Sequence, residues 1–82
     1  SDCEELLAGH LTEALEALDH HPAVIGPCFD GGYYLLGLRR FAPEIFRDIA
    51  WSTPAVLTQT LERFRELHWS WHSLPCLHDT DE

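Results

Sequence analysis

The stretch GPCFDGGYYLLGL, residues 26–38, sets an acid and two glycines at the mouth of a continuous apolar run. YYLLGL, residues 33–38, has no polar alternation, and in a short β-rich segment that predicts a strand covered on both faces. Its length and the glycine pair before it argue against a helix. Asp30-Gly31-Gly32 is a common hairpin-turn composition. Whether it also edges a ligand site is the question the rest of the chain has to answer.

Upstream, Leu7, Leu11, Ala14, Leu15 and Leu18 recur at helical spacing, with Glu4, Glu5, Glu13 and Glu16 mostly off that stripe. This predicts an amphipathic helix over Glu4–Asp19, acidic toward its start where the helix dipole favours acids. His20-His21-Pro22 ends it, because the residue before a proline resists the α conformation. AVIG at 23–26 is a short β-prone run. Downstream, Arg39-Arg40 marks an exit to solvent, and APEIFRDIA reads as a short helix with Pro43 in its first turn. Ser52-Thr53-Pro54 is a helix start, with Thr53 as cap and Pro54 at the first position, for a helix running to about Leu67. HWSWHSL at 68–74 alternates, with Trp69 and Trp71 on one side and His68, Ser70 and His72 on the other. That is a half-buried edge strand.

The order is α/β, with about three strands and two to three helices in a single domain over residues 1–82. A strand apolar on both sides calls for cover that so few helices are expected to give on one face only. The open face predicts either a missing portion of the domain or self-association.

Composition narrows the partners. Fourteen acids face five arginines and no lysine, for a net charge of -9, a field that repels nucleic acid and anionic lipid. No apolar run is long enough to span a membrane. Three scattered cysteines without a CxxC pair fit a reducing compartment, hence a cytoplasmic protein. Cys76, His72 and His78, or the histidines of HWSWH, can be imagined as metal ligands, but the usual zinc spacing is absent.

The segments SDC (1–3), GPCFDGGYYLLGLRR (26–40), DIAWSTPAVLTQTLERFREL (48–67) and LHDTDE (77–82) resemble the carboxy-terminal half of an uncharacterised bacterial glycosyltransferase-like family. That family has the GT-A, nucleotide-diphospho-sugar transferase fold. The resemblance implies a partial GT-A-like mixed sheet lacking the amino-terminal nucleotide-binding half. It implies kinship with metal-dependent nucleotide-sugar glycosyltransferases or nucleotidyltransferases, and an isolated chain without activity. Whether the chain is an enzyme at all stays open.

Residue by residue, Asp2 matches the family's cation-binding acid, and Asp79 and Asp81 match its carboxy-terminal acidic motif. Together they imply Mg²⁺ or Mn²⁺, whose hard charge suits carboxylate oxygens and a diphosphate leaving group. Asp30 is the candidate catalytic residue. Gly31 and Gly32 offer a bare backbone whose N–H groups could meet a phosphate or sugar oxygen. Trp51, Ser52 and Thr53 form a segment whose helix start could present N–H groups to an anion or acceptor.

Bland readings stand beside these. Residues 30–32 can be a turn only, the terminal acids a solvated tail, and the histidines exposed polar groups. Trp69 and Trp71 suit core packing better than a sugar-stacking platform. The alternative for the whole chain is a non-catalytic module that forms a homo-oligomer, a dimer, and meets a nucleotide-sugar only if a missing half is supplied.

Overall fold

The computed structural model describes residues 2–76, with side chains from residue 8 onward. Helix α1 spans Asp2–Ala17, strand β1 Ala23–Pro27 and strand β2 Tyr33–Leu38. A single 3-10 turn at Pro43–Phe46 follows, then helix α2 at Val56–Glu66 and strand β3 at Trp71–Ser73. The sheet has the order β2-β1-β3, with β1 antiparallel to β2 and parallel to β3. The fold is thus the expected α/β arrangement around a three-stranded mixed sheet.

Cover is supplied on both faces. Because side chains alternate along a strand, β1 sends Val24 one way, into a cluster with Ala14 and Ala17 of α1 and with Leu74. It sends Ala23 and Ile25 the other way, against Ala42, Ile45 and Phe64. The expectation of a single covered face is therefore corrected: α1 and α2 lie on opposite faces. The central strand is β1, where Val24 is 0% and Ile25 1% exposed. YYLLGL is a strand as expected, but it stands at the edge of the sheet and all six residues are only half-buried.

Helix α1 is rotated from its predicted stripe. His10, Ala14 and Ala17 are buried, while Leu11 and Leu15 are 54% and 69% exposed. The cause lies in β2. A bulge between Gly26 and Pro27 sets Leu35 opposite Gly26 and Tyr33 opposite Pro27, so Tyr34 is the extra residue and turns toward α1. Its ring lies directly over Gly26, where a Cβ would come 2.5 Å from Tyr34 Cζ. The Tyr34 hydroxyl donates to the Pro75 carbonyl at 3.0 Å and lies 3.2 Å from His10 Nδ1. The ring takes up the space that a leucine stripe would have filled, and the helix presents small side chains to the sheet.

Burial raises the Tyr34 phenol above the ordinary 10.0, and the neighbouring Cys28, Glu13 and Cys76 push it the same way. The raised folded-state pKa means that this contribution to stability is intact below pH 10 and is lost as pH rises through the folded value. Tyr34→Phe should cost about 1 kcal/mol at neutral pH through the lost Pro75 hydrogen bond. It should also flatten the decline in stability above about pH 10, as measured by urea titrations across the alkaline range.

The chain's arginines close the frame. Arg39 reaches back to donate to the Leu18 carbonyl at 3.0 Å, a cation at the end of α1 where the helix dipole favours one. The guanidiniums of Arg40 and Arg65 lie over the Trp69 and Trp71 rings at 5.7 and 5.6 Å. Among the described residues one buried group is unsatisfied: Thr60 is 1% exposed and its hydroxyl has no partner. Thr60→Val keeps the shape and removes that penalty, so a gain of about 1 kcal/mol in chemical denaturation is expected.

Candidate functional site

The β1–β2 connection builds the first wall. Gly31 N–H donates to the Cys28 carbonyl at 3.2 Å and Cys28 N–H to the Gly32 carbonyl at 2.9 Å. Asp30 Oδ1 accepts from Gly32 N–H at 3.0 Å, the local bond typical of an aspartate in a turn. Gly31 has φ +95°, a conformation open to glycine.

The second wall is the turn before α2. Thr53 Oγ1 donates to the Ala50 carbonyl at 2.6 Å and accepts from Ala55 N–H at 3.2 Å. Thr53 thus closes the turn and is not the expected helix cap: the regular helix starts at Val56 with Ala55 at its cap, and Pro54 lies before it. Ser52 has φ 64°, a left-handed conformation that costs a non-glycine residue about 1 kcal/mol.

The two walls meet through Gly31. Its carbonyl accepts from Leu57 N–H, in the first turn of α2, at 2.8 Å. Its bare Cα packs on the backbone of Pro54, whose Cα would lie 2.5 Å from any added Cβ. Between the walls opens a pocket of about 460 Å³ lined by Asp30, Gly32, Tyr33, Trp51, Ser52, Thr53, Pro54 and Val56. Two motifs twenty residues apart in sequence therefore face one another. Gly31 holds them together and does not itself line the space.

One expectation narrows and another holds. The N–H groups of Gly31, Gly32, Ala55, Val56 and Leu57 all donate within the chain, those of Val56 and Leu57 to the Thr53 and Gly31 carbonyls. Those amides are therefore not on offer to a phosphate, contrary to the bare-backbone reading of Gly31 and Gly32, whereas the Ser52 and Thr53 N–H groups make no bond within the described residues. Trp69 and Trp71 pack on Phe64 with ring centroids 6.1 and 5.6 Å away, so core packing is their role. The exposed aromatic at the pocket is Trp51, 50% exposed and stacked on Phe46 at 6.4 Å. Phe46 had no signal in the sequence, because it comes from the 3-10 turn and meets Trp51 only after the backbone reverses at Asp48, φ 56°.

Asp2 opens α1, and its side chain is not among those described; Asp79 and Asp81 lie outside the described residues, as does His78. Among the described residues no group of three or more His, Cys, Asp or Glu side chains is placed to hold a metal ion. Of the described residues Asp30 alone brings a carboxylate to the pocket, well short of a six-oxygen Mg²⁺ shell. The histidines of HWSWH separate: His68 sits in the turn that closes α2, at φ 60°, and His72 Nε2 meets Glu13 Oε2 at 2.7 Å. A second groove of about 320 Å³ runs beside that pair, lined by Glu13, Glu16, Ala17, His20, His21 and His72. No described helix is long and apolar enough to cross a membrane.

Similarity to known proteins follows the same elements. The chain superposes on the crystal structure of a candidate nucleotide-diphospho-sugar transferase from Desulfovibrio desulfuricans G20 with a TM-score of 0.81 and 40% sequence identity. The match covers 89% of this chain and 32% of that one, so the chain spans about a third of the length of the solved relative. No curated protein matches it. The model of a family described as "Uncharacterized protein conserved in bacteria (DUF2064)" matches residues 1–53, a span that includes the first wall of the pocket and the second as far as Thr53. With the mixed sheet, the flanking helices and the two turns all in place, the chain belongs to this bacterial family and carries part of a GT-A-like fold.

Proposed function

We propose that the chain is part of a nucleotide-sugar transferase-type protein and contributes its acceptor side, the pocket between Asp30 and Trp51. One observation carries this reading: two turns distant in sequence are locked by Gly31 into a single open pocket with a carboxylate on one wall and an aromatic face on the other. A carboxylate beside an acceptor hydroxyl can take its proton as the hydroxyl attacks, the ordinary role of a general base in group transfer. Asp30 is the residue in position for it. Mg²⁺ or Mn²⁺ would have to be held largely by Asp2, Asp79 and Asp81, so no step is assigned to the ion.

The 82 residues alone, in a cytoplasmic setting, are expected to bind a sugar ring weakly and to turn nothing over. Saturation-transfer NMR with UDP-glucose and GDP-mannose tests this. Transfer to sugar protons rather than base protons, lost in Trp51→Ala, is the expected result. Preferential transfer to the base would defeat the acceptor-side assignment, and product formation would defeat the inactivity.

Self-association is a second reading, favoured by Leu11, Leu15 and Phe41, which are 54%, 69% and 77% exposed, and by the edge position of β2. Light scattering at micromolar concentration should then give a dimer. A monomer without binding of an apolar dye would remove the idea.

A further inference from the structure

The pocket carries a carboxylate and no cation among its described lining residues, and this charge selects a ligand. The turn amides of Gly31 and Gly32 and the three amides at the start of α2 already donate within the chain. Asp30 is the one charged residue among the described lining residues and uses Oδ1 for a single local bond, which leaves a carboxylate most of its acceptor capacity. The Trp51 ring, stacked on Phe46, is half exposed at the same opening. No arginine lines the space, and the chain as a whole carries -9.

Resting on the acceptor-side reading above, we infer that this pocket takes an uncharged, hydroxyl-rich ring and discriminates against phosphorylated sugars. The hydroxyls donate to Asp30, and an apolar ring face lies on Trp51. A phosphate would meet a carboxylate and an acidic field, with no arginine or lysine among the described lining residues to pair with it. Asp30 sets the selectivity for charge, and Trp51 supplies affinity without regard to charge.

The test is an amide and indole NMR titration of the 82-residue chain at low salt. The probes are the methyl glycosides of glucose, galactose and mannose, the matching sugar 1-phosphates, and inorganic phosphate. At least one glycoside should shift the amides of Asp30, Gly32 and Ser52 and the Trp51 indole, and bind about tenfold more tightly than its phosphate, the scale of one charge pair at a partly exposed site. Asp30→Asn should narrow that ratio toward one, and Trp51→Ala should weaken both ligands about equally. Equal or tighter binding of the phosphate, shifts at these amides with inorganic phosphate, or an unchanged ratio in Asp30→Asn overturns the inference. So does the absence of glycoside binding. If UDP-glucose still transfers saturation to its sugar protons through Trp51 in that case, the acceptor-side reading stands and the charge selectivity alone fails. If nothing binds, both fail.

Discussion

Gly31→Ala is expected to destabilise the chain by about 4 kcal/mol, close to the whole stability of a domain this small, which is roughly 4–12 kcal/mol. The backbone at φ +95° is strained for any L side chain, at a cost of about 1–2 kcal/mol. A Cβ would also lie 2.5 Å from Pro54 Cα, and that neighbour is backbone rather than a movable side chain. Overpacking of this kind costs about 1–3 kcal/mol, and displacing the turn loses the Leu57–Gly31 hydrogen bond, about 1 kcal/mol more. The adjacent glycine is the control. A Cβ on Gly32 would meet only Asp30 Oδ1, at an ordinary 3.5 Å, so Gly32→Ala should stay within about 1 kcal/mol of the parent. Urea midpoints of the two variants decide the matter, with Trp51 fluorescence as a local probe. A loss below about 1 kcal/mol in Gly31→Ala would mean that the turn is not docked on the start of α2.

That contrast also shows what could be read from sequence. Asp30-Gly31-Gly32 was legible as a turn, because glycine pairs next to an acid are turn chemistry. It was legible as a site only through the family resemblance, because nothing local says that Gly31 will pack on Pro54, 23 positions away. The strands and helices were legible from periodicity, since periods of 2 and 3.6 are local properties. Which face of α1 goes inward was legible only in part: Ala14 and Leu18 of the stripe pack on the sheet, but Leu11 and Leu15 gave way to His10 and Ala17 because the bulge in β2 brings Tyr34 under the helix. A bulge is a two-strand event and leaves little trace in one strand's pattern.

The same reasoning explains the misread cover. YYLLGL looks like a central strand because it is apolar on both sides, yet AVIGP holds the centre. Residue size decided between them. Gly26 and Gly37 let large side chains on the neighbouring strand cross over the sheet, Tyr34 over Gly26 and Val24 beside Gly37, so burial follows packing order rather than hydropathy alone. The donors foreseen at Gly31 and Gly32 are used within the chain for a related reason. An unpaired amide costs free energy wherever water is thin, and a turn docked on a helix start satisfies both sets of amides with its own carbonyls and side chains.

Phe64→Ala should be the second severe change, at about 3–5 kcal/mol. Phe64 is fully buried, and it backs both tryptophans of HWSWH, with Trp69 nearly parallel at 26° and Trp71 tilted at 46°. Arg40 and Arg65 lie over those same rings. Each indole thus has an aromatic neighbour and a cation, an arrangement that fixes it in the core margin and leaves little face for a sugar. Removing the phenyl ring opens a cavity beneath both, so the unfolding midpoint should fall together with a red shift of tryptophan emission. Phe64→Leu fills much of the cavity and should recover more than half of the loss. The two tryptophan sites then separate cleanly. In Phe64→Leu, glycoside-induced shifts at the Trp51 indole should persist, since Trp51 stacks on Phe46 and not on Phe64. Shifts at the Trp69 or Trp71 indoles in place of Trp51 would move the stacking platform to the other edge of the sheet and remove Asp30 from the site.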